Sequence, residues 1–193
     1  MRTYLYMIRH AVSPFVVGNE RERGLSEQGK ADAVRINEIL AVEGIGYLVS
    51  SPYKRAIDTL QIMADTGRLE IKLYEELRER AIASTEREID DQVIMEGIRQ
   101  SFADKDYTMP GGESTRDAQK RAIPVIEQLI QQHAGSKIAL GTHGNIMTII
   151  MNYFDDKYGY EFFTQISKPD IYKLEFEGMK LILAERLWSK GND

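Results

Sequence analysis

Apolar positions along the chain follow two rhythms, short continuous runs and longer stretches with a three-to-four-residue period, and the two alternate. Thr3–Arg9 is an apolar run of strand length. A polar loop with two glycines leads to Ser26, a good helix N-cap. Ala33, Ile36 and Leu40 then recur at helical spacing, predicting a helix over Glu27–Glu43 that Gly44 and Gly46 close. Tyr47–Ser50 reads as a second strand, Ser51-Pro52 opens a helix over Tyr53–Asp65, and Ile71–Tyr74 is a short third strand. Beyond an irregular stretch, Ile89, Val93, Ile94 and Ile98 mark one side of a helix over Glu86–Phe102. The turn Met109–Ser114 precedes a long helix to about His133 that contains Arg121 and Pro124. Strand Lys137–Thr142 and helix Asn145–Tyr153 follow, and Ile171–Phe176 with Lys180–Arg186 reads as a hairpin turning at Glu177-Gly178. The alternation predicts an α/β fold, with helices on both faces of a mainly parallel sheet that carries an antiparallel edge strand.

With 193 residues, 42% of them hydrophobic, the chain is long enough for one substantial core, and no linker-like or repeated segment divides it. One domain over residues 1–193 is expected. The absence of cysteine excludes disulfides, thiolate catalysis and cysteine-type zinc sites. No window approaches the about 18–20 apolar residues of a membrane span, and the first apolar run reads as a strand and not a signal peptide. No membrane partner and a cytoplasmic location are therefore expected. A formal net charge of −5, with no basic stripe, disfavours nucleic acid. A small anionic substrate stays open, because a local cluster of cations sets the potential of a cleft whatever the overall sign.

Two of the three histidines follow apolar strands, in Arg9-His10-Ala11 and Thr142-His143-Gly144. Strand ends of open α/β sheets deliver side chains into the crevice where ligands sit. A lone histidine there can equally close the strand by bonding to backbone, but Arg9 beside it is costly at a buried strand end without an anionic partner. His143 precedes a helix whose N-terminal N–H groups point toward the same edge, and such termini attract anions; a capping role in the turn is the alternative. Arg55, in the first turn of its helix, opposes the helix dipole, which a nearby anion would explain, although a solvated surface arginine reads the same way. The acid-rich run Glu75-Glu-Leu-Arg-Glu79 enters the crevice from another loop, and spacing alone does not choose among Glu75, Glu76 and Glu79. His133 stands at a frayed helix end and reads as solvent-facing.

Taken in order, Arg9-His10, Leu25-Ser26-x-x-Gly29-x-x-x-Ala33, Ser51-Pro52-x-x-Arg55-Ala56-x-x-Thr59, Leu77-x-Glu79, Pro110-x-Gly112-Glu113-Ser114 and Thr142-His143-Gly144 resemble the motifs of the histidine phosphatase, or phosphoglycerate mutase-like, superfamily. The resemblance covers most of the chain. It implies a three-layer α/β/α sandwich with a small helical cap insertion at about residues 80–112. It also implies that His10 is transiently phosphorylated, that Arg9, Arg55 and His143 hold the phosphoryl group, and that Glu79 is the acid/base. Gly144, Ser13 and Asn19 are expected to complete the substrate pocket. Ser13 stands where many members have threonine, and Asn19 is the stand-in for an asparagine that is Val16 here. Ala11 replaces the commoner glycine after the nucleophile, which is acceptable only at negative φ.

What this resemblance implies is a phosphomonoester hydrolase of the phosphatase branch, acting on a small phosphorylated metabolite. It needs no metal or other cofactor, because the arginines and the second histidine supply positive charge. Specificity is expected from the segment between Glu79 and Glu113, which carries Ile82, Met95, Phe102, Tyr107 and Met109 with Arg80, Arg87 and Arg99. A phosphoglycerate mutase-type phosphotransferase is the nearest alternative, and a non-catalytic phospholigand-binding protein is a third reading that the full set of site residues disfavours.

Overall fold

The computed structural model describes residues 1–15, 18–84 and 89–189. Its elements are β1 (Arg2–Arg9), α1 (Glu27–Leu40), β2 (Tyr47–Ser50), α2 (Lys54–Gly67), β3 (Ile71–Leu73), a 3-10 turn (Glu75–Leu77), α3 (Asp91–Ala103), α4 (Thr115–Gln132), β4 (Lys137–Thr142), α5 (Gly144–Phe154), α6 (Tyr160–Gln165), β5 (Asp170–Glu177) and β6 (Lys180–Arg186). The strands form one sheet in the order β3-β2-β4-β1-β5-β6. β1 to β4 run parallel, and β5 pairs antiparallel with both β1 and β6.

Alternation along β1 assigns the two faces. Leu5 and Met7 enter the core formed with Ile123, Ile126 and Leu129 of α4 and Ile146 and Ile150 of α5. Tyr6 and Ile8 point the other way, into a second core with Ile36 and Leu40 of α1 and Leu60 and Met63 of α2. Period two on the strand and period 3.6 on the helices thus yield the expected three layers, and each fully buried aliphatic side chain contributes about 1.5–3 kcal/mol.

Ser26 caps α1 as expected, accepting from the Gly29 N–H at 3.0 Å. The helix stops at Leu40, short of Glu43, because the chain turns there and the Glu43 carboxylate is taken by Tyr6 and Lys173. α3 begins at Asp91, not Glu86, since Asp90 caps it by accepting from the Gln92 N–H at 2.8 Å; residues 85–88, Arg87 among them, lie outside the described residues. The sequence reading missed α6, which is too short to show a period.

The stretch between β3 and β4 carries α3, and Gly97, Ile98 and Ser101 are its buried residues. A Cβ at Gly97 would overlap Met109, so the absence of a side chain lets this loop close on the helix. Arg80 is 4% exposed and ties the segment to the domain: it donates to the Glu113 carbonyl at 2.7 Å, to Ser101 Oγ at 2.7 Å and to Asn145 Oδ1 at 3.4 Å. Arg80, named above among the charges of the segment expected to set specificity, is thus a buried bolt. Arg99 pairs with Glu96 at the surface.

Candidate active site

Register places the candidate side chains before any contact is considered. Arg9 at the end of β1 pairs with Thr142 at the end of β4, and Ser50 of β2 pairs with Gly141. His143 therefore emerges between the segments that follow β1 and β2. The backbone continues the pattern past the strands: His10 N–H donates to the Thr142 carbonyl and Ser51 N–H to the Gly141 carbonyl, both at 2.9 Å. The two histidine rings lie 5.2 Å apart, edge to face.

His10 is held in one tautomer by chemistry. Nδ1 lies 2.8 Å from the Ala11 carbonyl oxygen, which can only accept, so Nδ1 carries the proton. Arg55 Nε can only donate, and it lies 3.1 Å from His10 Nε2, which must therefore present its lone pair. Burial, and then the Arg55 guanidinium, push His10 well below the ordinary histidine range, so the ring is neutral at pH 7. Ala11 is fully buried, and its N–H donates to Thr59 Oγ1 at 3.0 Å. Arg68 is the non-glycine residue with positive φ among the described residues, so Ala11 replaces glycine without strain. The Thr59 hydroxyl also donates to the Arg55 carbonyl, which accounts for its place in the motif: it locks α2 to the loop after β1.

Arg55 is 2% exposed despite its charge. Besides His10, it donates through Nη1 to the Glu20 carbonyl at 2.6 Å, and Nη2 lies 3.1 Å from Glu20 Oε2. Glu20 also binds Arg23, with Nε 3.0 Å from Oε1, and Arg23 in turn donates to Ser13 Oγ at 2.7 Å.

His143 is fully buried, with Nε2 2.7 Å from Ser51 Oγ. Its Nδ1 is buried with no hydrogen-bond partner among the described residues, as are Arg9 Nε and Asn145 Nδ2. Burial, then His10 and Arg55, push His143 well below the ordinary histidine range, and the neutral ring can offer an N–H. Arg9 is anchored through Nη1 to the carbonyls of Ile166 and Ser167 at 3.2 and 3.1 Å. Gly144 lies against the Arg9 guanidinium, and a Cβ there would stand 2.8 Å from Cζ. Its place in the motif is explained by this close approach.

Glu79 is half-buried, whereas Glu75 and Glu76 are exposed. Its Oε1 accepts from the N–H groups of Arg80 and Ile146, both at 2.9 Å, and its Oε2 from Asn145 N–H at 3.2 Å. Two N–H groups of the first turn of α5, those of Asn145 and Ile146, are therefore taken by this carboxylate, and for these two the expectation that they face the cleft free is corrected. Glu75 instead pairs with Arg21.

Two pocket expectations are also revised. Ser13 is buried near the site, but its hydroxyl proton goes to the Gly24 carbonyl at 2.7 Å and its oxygen accepts from Arg23. Asn19 is exposed, and the next residue, Glu20, is the one that reaches Arg55; Val16 lies outside the described residues. Sequence reasoning missed Arg23 and Lys168. Both act on the same centre: the Lys168 ammonium is lowered by desolvation, then by Arg9, Arg23 and Arg55. Arg23 sits in Glu20-Arg-Glu-Arg23, which reads as a solvated polar loop, and Lys168 in an unpatterned connection, so neither carried a periodic signal.

The arrangement offers an unprotonated imidazole nitrogen, three arginines, a lysine and a neutral histidine around one point, with a carboxylate at the rim. That is chemistry suited to a tetrahedral oxyanion. The chain is 28% identical to a glucosyl-3-phosphoglycerate phosphatase of Mycolicibacterium vanbaalenii over 162 residues, covering 76% of this chain and 71% of the relative. It is 27% identical to a 2,3-bisphosphoglycerate-dependent phosphoglycerate mutase of Mesorhizobium japonicum, covering 83% and 85%. Its fold matches that of a mutant phosphoserine phosphatase from Entamoeba histolytica in complex with phosphoserine, with a TM-score of 0.77, 19% identity and coverage of 95% and 96%. Residues 5–186 match the model of the histidine phosphatase superfamily (branch 1), and the chain belongs to that family.

Proposed function

We propose that this protein is a phosphomonoester hydrolase that works through a phosphohistidine on His10 and acts on a small phosphorylated metabolite. The observation that carries the reading is the bonding of His10, with its Nδ1 proton on a backbone carbonyl and its Nε2 lone pair facing Arg55. A nucleophile needs that tautomer in that orientation.

In the first step a phosphoryl oxygen takes over the Arg55 Nε–H that caps His10 Nε2, which frees the lone pair. Nε2 then forms the N–P bond as the ester P–O bond breaks. Arg9 and Arg55 neutralise the equatorial oxygens, and His143 donates through Nδ1, its unpartnered nitrogen. The leaving oxygen takes a proton from Glu79, which enters this step protonated and regains its proton in the next. Oε2 is the atom suited to carry it, since it accepts one N–H where Oε1 accepts two. In the second step Glu79 takes a proton from water as the water oxygen attacks phosphorus, and the N–P bond breaks to release inorganic phosphate.

A mutase reading draws support from the similarity to the Mesorhizobium enzyme. It differs in the acceptor of the second step, a substrate hydroxyl in place of water. A panel of phosphorylated metabolites, assayed for phosphate release and for phosphoglycerate interconversion with a bisphosphate primer, tests both. Phosphate release from several esters that His10→Ala abolishes is the expected result; primer-dependent interconversion without phosphate release would replace hydrolysis by transfer.

A further inference from the structure

Arg55 is the arginine closest to the His10 lone pair, and Glu20 engages it twice. The Glu20 carbonyl accepts from Nη1 at 2.6 Å, and Oε2 lies 3.1 Å from Nη2. The same carboxylate spans to Arg23, with Nε–Oε1 at 3.0 Å and Nη2–Oε2 at 3.3 Å. A single carboxylate thus forks across two buried or nearly buried guanidinium groups next to the candidate nucleophile, with its own side chain 35% exposed. Bidentate contacts of this kind are what a phosphate makes with arginine.

We infer that Glu20 is an affinity-determining residue of the phosphate subsite, an internal carboxylate that engages Arg55 and Arg23 and competes for them with a phosphoryl group. The inference rests on the proposed reaction for the location of the phosphate. With Nε on His10, Nη1 on a carbonyl and Nη2 on Glu20, all three nitrogens of Arg55 already have partners. A phosphoryl oxygen can take Nε–H in place of the His10 lone pair, and a second oxygen that binds Nη2 on the same edge shares that nitrogen with Glu20 Oε2, whose negative charge opposes it. Exchange of one anion for another costs little in desolvation, because the arginines never lose a negative partner. Substrate affinity is lowered by the strength of the Glu20 contacts, while the chemical step, which follows exchange, is untouched.

The loop is built to allow this exchange. The Glu20 backbone stays anchored by its carbonyl on Arg55, and the Arg21 carbonyl accepts from Lys54 N–H at 2.8 Å, so the carboxylate can swing while the chain holds. Arg21 points outward to Glu75 and over the Tyr53 ring.

Titration calorimetry with inorganic phosphate on wild type, Glu20→Gln and Glu22→Gln tests the inference. Glu22 is exposed on the same loop and controls for net charge. Glu20→Gln is expected to bind phosphate about fivefold more tightly, with Glu22→Gln unchanged. With a chromogenic monoester, Glu20→Gln should lower KM by a similar factor at unchanged kcat. Unchanged or weaker phosphate binding by Glu20→Gln, an equal gain in Glu22→Gln, or a fall in kcat at constant KM would each overturn it; the last would make Glu20 a support for Arg55. If phosphate affinity shifts as expected while no variant turns over substrate, the proposed reaction fails and the role of Glu20 in anion binding stands.

Discussion

Two charged clusters flank the central strand, and they are built on opposite plans. On the α1 face, Glu43 receives the Tyr6 hydroxyl at 2.6 Å and the Lys173 ammonium at 3.0 Å, while Lys137 donates to its carbonyl at 2.5 Å. Acceptors and donors match, and burial with the Glu43 contact drives the Tyr6 hydroxyl far above its usual range. At the C-terminal edge, donors outnumber acceptors: Arg9, Arg23, Arg55 and Lys168 converge, and Arg9 Nε and His143 Nδ1 stay buried without partners among the described residues. The first cluster is complete as it stands. The second is organised for an acceptor with several oxygens, and unpaired buried donors of this kind cost stability unless function retains them.

Substitutions should separate the two plans. The largest effect is expected for Arg55→Met, which removes the guanidinium facing His10 Nε2: kcat for a chromogenic monoester should fall about 10³-fold, with the thermal midpoint lowered only by the lost Glu20 contacts. A loss of stability in place of activity would class this cluster with Glu43. Gly144→Ala should push the Arg9 guanidinium aside and lower kcat about 10²-fold, an effect that Arg9→Met should not compound. Additive losses would show that Gly144 acts elsewhere.

The pH dependence of stability comes next. Both histidines have folded values depressed below the unfolded 6.5 or so, so the unfolded chain binds more protons as pH drops. Stability is full above that value and is lost as pH falls toward the folded values, by up to about 1.4 kcal/mol per pH unit for each histidine. Denaturant titrations between pH 7.5 and 5 on wild type and His143→Gln measure this, and an identical slope in both would remove His143 from the account. The smallest effect is expected from Tyr6→Phe, which should cost about 1 kcal/mol of stability and leave kcat unaltered.

The same contrast explains what the sequence made legible. His10, Arg55 and His143 were visible because each sits at a fixed offset from an apolar run, and runs of that kind become strands whose register brings their ends together. Thr59 and Gly29 appeared only as motif letters and Gly144 as a pocket residue, since their roles are close approaches: Thr59 to Ala11, Gly29 to the Val12 carbonyl, Gly144 to Arg9. Glu79 could not be chosen over Glu75 and Glu76 by spacing, and its grip on the start of α5 joins residues far apart in the chain. Glu20, Arg23 and Lys168 lie in connections without periodicity. The neutrality of His143 depends on burial, which composition does not reveal.

The central claim is that His10 Nε2 receives the phosphoryl group. Rapid quench of the protein with a labelled phosphomonoester, followed by peptide mapping under alkaline conditions that preserve phosphohistidine, tests it most directly. The account predicts one acid-labile phosphoryl group on the peptide containing His10, with attachment at Nε2, and none in His10→Ala. Hydrolysis that proceeds at the wild-type rate in His10→Ala, or label found on another residue, would contradict it.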